Sequence, residues 1–127
     1  MNRIIHIKNF NGLLDQFFDF LHDSFPEFRS DFILARSTME FVRRGNPRLV
    51  VEQFMDNVKP FQKYIFECDE DFFLTYEISQ SNGVSRDDML LGMKLKQIWR
   101  SGKITTKQRA TIFYYFQKLI KFGSECI

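Results

Sequence analysis

Apolar residues recur at three- and four-residue steps along most of this chain, and phenylalanine alone fills 16 of its 127 positions. That spacing lays one apolar stripe along each helix, whereas strict two-residue alternation occurs only over residues 3–8, too short to define a strand. The pattern predicts an all-α fold, a compact bundle of about five or six helices around a Phe-rich core. Area scaling gives burial on the order of 15,000 Å² for a chain of this length, so a core can form without disulfide staples. The length fits a single helical domain over 1–127, with residues 1–9 as a flexible or extended arm. With 44% apolar residues and only six glycines and three prolines, the composition is the opposite of a disordered one.

The elements follow from stop and start signals. The first helix is expected to open at Asn11, whose side chain can cap free N–H groups, and to turn Leu13, Leu14, Phe17, Phe18, Leu21 and Phe25 inward. Asp15, Asp19 and Asp23 would line its outer face. Pro26 interrupts it. A second helix carries Phe28, Phe32, Ala35, Met39 and Val42 on one stripe. Arg43-Arg44-Gly45-Asn46-Pro47 then reads as a tight corner, with two cations in a last turn, a left-handed glycine stop, an asparagine cap and proline at the first helical position. The third helix buries Val50, Val51, Phe54, Met55 and Val58 and runs to Pro60, with a short continuation over 61–66. Residues 72–78 fit either a helical turn or an extended piece, and 79–86, with Asn82-Gly83, form a loop. A fifth helix from Asp87 groups Leu91, Leu95 and Ile98 and stops near Ser101-Gly102. Thr105 and Gln108 make a capping box for the last helix, which buries Ile112, Phe113, Phe116, Leu119 and Ile120.

A formal net charge of +2 hides a blockwise layout, with sums of −2, +3, −6 and +7 over residues 1–40, 41–63, 64–92 and 93–127. The basic C-terminal block supports two readings. Its cations are solvated faces that fold back on the acidic stretch, or they form a phosphate-binding surface with Arg43, Arg44, Arg48, Lys94, Arg100, Lys103, Lys107 and Arg109. Trp99, Tyr114 and Tyr115 lie among these cations and could stack on bases. Arg48, in the first turn of a helix, opposes the macrodipole and calls for a compensating carboxylate or an external anion.

Chemistry-bearing motifs are sparse. Glu67, Asp69, Glu70 and Asp71 could suit a hard cation, but Phe73 and Leu74 occupy places where a calcium loop needs a ligand and a glycine, so no metal site is assigned. Cys68 and Cys126 form neither a CxxC pair nor a ligand cluster, and carboxylates beside Cys68 disfavour its thiolate, which makes it a partly buried packing residue. His6 and His22 have no motif around them. No phosphate loop, nucleophile elbow or HExxH pair is present, and no catalytic residue, cofactor or small-molecule substrate is assigned. No apolar run is long enough to span a bilayer and no leader pattern opens the chain, so a reducing, intracellular setting is expected.

Asn46-Pro47-Arg48-Leu49-Val50, Phe54, Pro60-Phe61, Tyr64-Ile65 and Asp69-Glu70-Asp71-Phe72-Phe73-Leu74 form one series of matching features. With Ile98-Trp99 and Ile112-Phe113-Tyr114-Tyr115-Phe116-Gln117-Lys118-Leu119, they give a chain that resembles short uncharacterised helical proteins of nucleocytoplasmic large DNA viruses, from about Phe10 onward. The resemblance implies a viral protein working in the host cytoplasm, in a virus factory, or in the virion. It implies no catalytic residue or cofactor.

The apolar inventory points to contact as the function. Phe18, Phe20, Phe41, Phe72, Phe73, Trp99, Tyr114 and Tyr115 make several helices apolar on more than one stripe, beyond what a compact chain is expected to enclose. The expected role is a non-enzymatic structural or interaction protein that presents a helical surface to a protein partner or to itself. Phe72, Phe73, Trp99, Tyr114 and Tyr115 are the candidate contact residues. The alternative is nucleic-acid binding through the basic helices of residues 93–127.

Overall fold

The computed structural model describes residues 3–59, 62–70 and 98–126. Expectations for Pro60, for residues 71–97 and hence for Phe72, Phe73, Lys94, the 79–86 loop and the start of a fifth helix lie outside the described residues. Among the described residues the structure is all-α, without a strand. Helix α1 spans Arg3–Ser24, a 3-10 turn Pro26–Phe28, α2 Arg29–Gly45, α3 Pro47–Val58, α4 Gln62–Phe66 and α5 Thr106–Cys126.

Among the described residues, helices α1 and α5 form the most extensive packing. They run antiparallel, as shown by Phe17 against Phe116, Phe20 against Tyr115 and His6 beside Glu125. Helix α3 closes the third side through Phe54, whose ring lies 5.3 Å from Phe10 and 6.2 Å from Phe116. These contacts join into one run of rings, Phe10, Phe54, Phe116, Phe17, Tyr115, Phe20 and Phe25, across three helices. The inward stripes expected for α1, α3 and α5 all lie in or against this core.

Three local expectations hold in detail. Asn46 Oδ1 accepts the Arg48 N–H at 3.1 Å, capping α3 with Pro47 at its first position. Thr105 and Gln108 satisfy each other's backbone N–H groups at 3.0 and 2.9 Å, a reciprocal capping box ahead of α5. Gly102 takes φ +72° where residues 98–100 end their helical turn, a conformation that costs glycine little.

Several others are corrected. Helix α1 begins at Arg3 and not at Asn11, so residues 3–9 are no extended arm. Helical steps from Phe10 back to Ile7 keep Ile7 against the core. Asn11 is thus an interior residue of α1, buried, and donates from Nδ2 to the Pro47 carbonyl at 3.4 Å. Gly45 is the last residue of α2 and carries no positive φ; the chain leaves the helix through extended Asn46, at φ −158° and ψ 98°. Cys68 is exposed, not partly buried, and takes φ 55° where α4 ends. The Asp69 N–H reaches back to the Tyr64 carbonyl at 2.9 Å and closes that turn.

Asp15 and Asp19 stand on the flank of α1 beside α2, Asp15 half-buried and Asp19 still open to solvent. Arg36 binds Asp19 at 2.7 Å, and Arg43 binds Asp15 at 2.8 Å, Glu40 and the Asn11 carbonyl. The hydrogen bond that Arg36 donates to Asp19 is the main influence that pushes its guanidinium above the ordinary pKa, reinforced by the charges of Asp19, Asp15 and Glu40 and opposed by partial burial.

Glycine has a packing role at position 123. A Cβ there would lie 2.5 Å from Met55 Sδ and 3.0 Å from Met55 Cγ, so the missing side chain lets α3 seat Met55 in a notch of α5. Gly123→Leu is expected to lower the unfolding free energy by about 1–3 kcal/mol through overpacking, with partial recovery in the Gly123→Leu, Met55→Ala pair. Denaturant titration of both variants checks this, and an unaffected Gly123→Leu protein would show that the notch is not filled.

Candidate interaction surface

Helix α2 contributes Phe32, Ala35 and Met39 to the core, with Phe28 and Val42 partly buried beside them. This inner stripe is narrow. Arg36 and Arg43 flank it and tie α2 to Asp15 and Asp19 of α1. About half a turn around the helix from that stripe, Ile33, Leu34 and Phe41 stand 55%, 69% and 77% exposed. Ser30, Ser37 and Thr38 are exposed with them, so the outer face carries three large apolar groups separated by small hydroxyl residues, with Glu40 and Arg44 exposed on the same face toward its C-terminal end. The Thr38 hydroxyl donates to the Leu34 carbonyl at 3.0 Å and is thereby partly satisfied without an outside partner.

The other sequence candidates are distributed differently. Trp99, expected at a partner surface, is only 6% exposed: its ring packs 5.8 Å from Phe113 and its Nε1–H donates to Glu70 Oε1 at 3.2 Å. It is a core residue, because the indole finds both an apolar bed and a hydrogen-bond acceptor inside. Phe18 is likewise enclosed. Phe20 and Tyr115 are partly buried against each other and against Phe25 and Phe17. Tyr114 is exposed on α5, where Lys118 Nζ lies 5.3 Å from its ring centroid. Of the aromatic surplus, Phe41 is the most open to solvent among the described residues, and its exposed apolar neighbours Ile33 and Leu34 were not among the sequence candidates. The signal for them was present: both fall off the Phe32–Met39 stripe by one or two residues.

The basic candidates do not converge on one surface. Arg43 is occupied by Asp15 and Glu40, and Arg48 pairs with Glu52 one turn along α3 at 3.0 Å, the internal compensation that its place near a helix N-terminus calls for. Arg109 binds Glu70 at 3.1 Å and the Ile104 carbonyl at 3.2 Å, and Lys103 Nζ lies 3.8 Å from Glu27. Arg44, Arg100 and Lys107 are exposed. Arg43 therefore stands beside the middle of α1, while Lys103 lies beyond its C-terminal end.

Among the described residues no group of three or more His, Cys, Asp or Glu side chains is placed to hold a metal ion, and no helix is long and apolar enough to cross a membrane. No family model matches this chain, and no curated protein or solved structure is similar enough to match it.

The two thiols differ sharply. Burial, with the neighbouring Glu125 charge, pushes the Cys126 thiol up, against a smaller opposing pull from Arg48, whereas Cys68 is exposed. Under native conditions Cys68 should react with an aromatic disulfide reagent while Cys126 reacts only on unfolding. Prompt labelling of Cys126 in the folded chain would contradict its enclosure.

Proposed function

We propose that this chain is a non-enzymatic interaction protein whose working surface is the outer face of α2. The observation that carries the reading is the exposure of Ile33, Leu34 and Phe41 on a helix whose opposite stripe already satisfies the core. Apolar side chains gathered on one helix face and spaced by small residues are the composition of a helix-docking surface. On the resemblance to helical proteins of large DNA viruses, the setting we propose for this role is the host cytoplasm, in a virus factory, or the virion. Nucleic-acid binding through residues 93–127 is the weaker reading, because Arg109 and Lys103 are turned to carboxylates of the same chain.

The test separates contact from folding. Leu34→Lys and Phe41→Lys remove apolar surface that folding does not bury, so unfolding free energy should stay within about 0.5 kcal/mol of the parent. A benzophenone amino acid at position 41 should crosslink to protein in cells expressing the chain, and one at exposed Ala110 on α5 should not. Equal crosslinking at both positions, or none at 41, would remove α2 from consideration.

A further inference from the structure

We infer that the occupant of the α2 face is a second copy of this chain, packed with its own α2 antiparallel to the first. The inference rests on the reading of that face as a docking surface and adds the identity of what docks. Three features point to a copy.

The first is charge. The exposed residues Ser30, Ile33, Leu34, Ser37, Thr38 and Phe41 of the outer face are uncharged, and exposed Glu40 and Arg44 lie on the same face toward the C-terminal end of the helix; about a two-fold axis near Ser37 and Thr38 an antiparallel pair keeps each of these charges more than a helical turn from its own counterpart. The ends of the helix set the direction. Asp31 lies in the first turn of α2 and Arg43 and Arg44 in the last. Arg43 is occupied within the chain, so Arg44 is the cation that end presents: a parallel pair would place the two Arg44 side chains side by side and align the two helix dipoles, whereas an antiparallel pair brings each Arg44 near the Asp31 of the other first turn.

The second feature is shape. Ser37 and Thr38 lie midway between Leu34 and Phe41, so a two-fold axis near them lets the backbones approach at small residues and carries Leu34 of one copy toward the Phe41 ring of the other. A closed two-fold pair of this kind uses the same patch on both sides and leaves nothing over to propagate.

The third is area. Ile33, Leu34 and Phe41 leave on the order of 400 Å² of apolar side chain uncovered, within the range of patches that serve a function on monomers. Two copies supply about 800 Å² before the flanking serines are counted, below the roughly 1,200 Å² at which stable complexes begin. The pair is therefore a weak, reversible dimer, populated at high local concentration.

The experiment uses the full chain with Cys68→Ser and Ser37→Cys, leaving buried Cys126 in place. Mild oxidation should yield a disulfide-linked dimer through position 37, and the same background carrying Lys107→Cys in place of Ser37→Cys should stay monomeric. In parallel, sedimentation velocity of the parent chain from micromolar to near-millimolar concentration should show the weight-average mass rising from one copy toward two. Phe41→Lys should weaken that association by at least about tenfold. Should Phe41→Lys fail to fold, the disulfide arm still decides.

A parent chain that stays monomeric throughout, with no disulfide dimer through position 37, overturns the self-pairing. If the benzophenone at position 41 then captures a different protein, α2 remains a docking face and only the identity of the occupant was wrong. If it captures nothing, the docking reading falls with it. An intramolecular crosslink from position 41, one that leaves the product at the mass of a single copy, would also overturn the proposal, because it would show the face covered from within.

Discussion

The fold depends on a continuous contact of aromatic rings between α1, α3 and α5. Phe10, Phe54, Phe116 and Phe17 touch in sequence at centroid separations of 5.3, 6.2 and 5.4 Å, alternating edge-on and stacked geometry. Each ring buries a large area, and such pairs add about 0.5–1.5 kcal/mol beyond that area. The rings also fix the order of the helices, because Phe54 can meet both Phe10 and Phe116 only if α3 lies across the groove between α1 and α5. Gly123 completes this arrangement by letting Met55 sink beside Phe10. Phenylalanine content is therefore used mainly to join three helices.

Helix α2 is attached by a different balance of forces. Three buried side chains and two arginines facing aspartates hold it to α1, and Asn11, whose Nδ2 reaches the Pro47 carbonyl, braces the corner into α3. Arg43, with only 13% of its side chain exposed, meets two carboxylates and the Asn11 carbonyl, so its guanidinium is well supplied with acceptors inside the protein. Such an ionic flank needs little apolar width. It leaves the far side of α2 without a role in the core.

Much of this could be read from the sequence, and the failures have physical causes. Periodicity located the inner stripes because 3.6 residues per turn fixes which side chains share a face. It could not say which neighbour each flank would meet, so Asp15 and Asp19 looked like a solvated edge until α2 supplied Arg36 and Arg43. Asn11 fitted the chemistry of a cap, but its partner is the carbonyl of Pro47, 36 positions away, and no local rule reaches that far. Gly45 fitted a left-handed stop, yet extended Asn46 did the same work and also capped the next helix. Trp99 looked like an interface anchor by composition, and the acceptor that made its burial affordable, Glu70, was visible only in three dimensions. Phe41 was legible as surplus, whereas Ile33 and Leu34, though off the Phe28–Val42 stripe, were not singled out because the surplus was sought among aromatic residues.

The exposed stripe is informative because folding does not require it. Polar residues at 33, 34 and 41 would leave the inner contacts of Phe32, Ala35 and Met39 and the ionic flank unchanged, and would reduce the tendency to associate. Isoleucine, leucine and phenylalanine at these positions are the apolar groups of α2 that the core does not use. A helix anchored by charge on one side is thus free to carry apolar contact on the other, and α2 is the described helix in which those two requirements are most clearly separated.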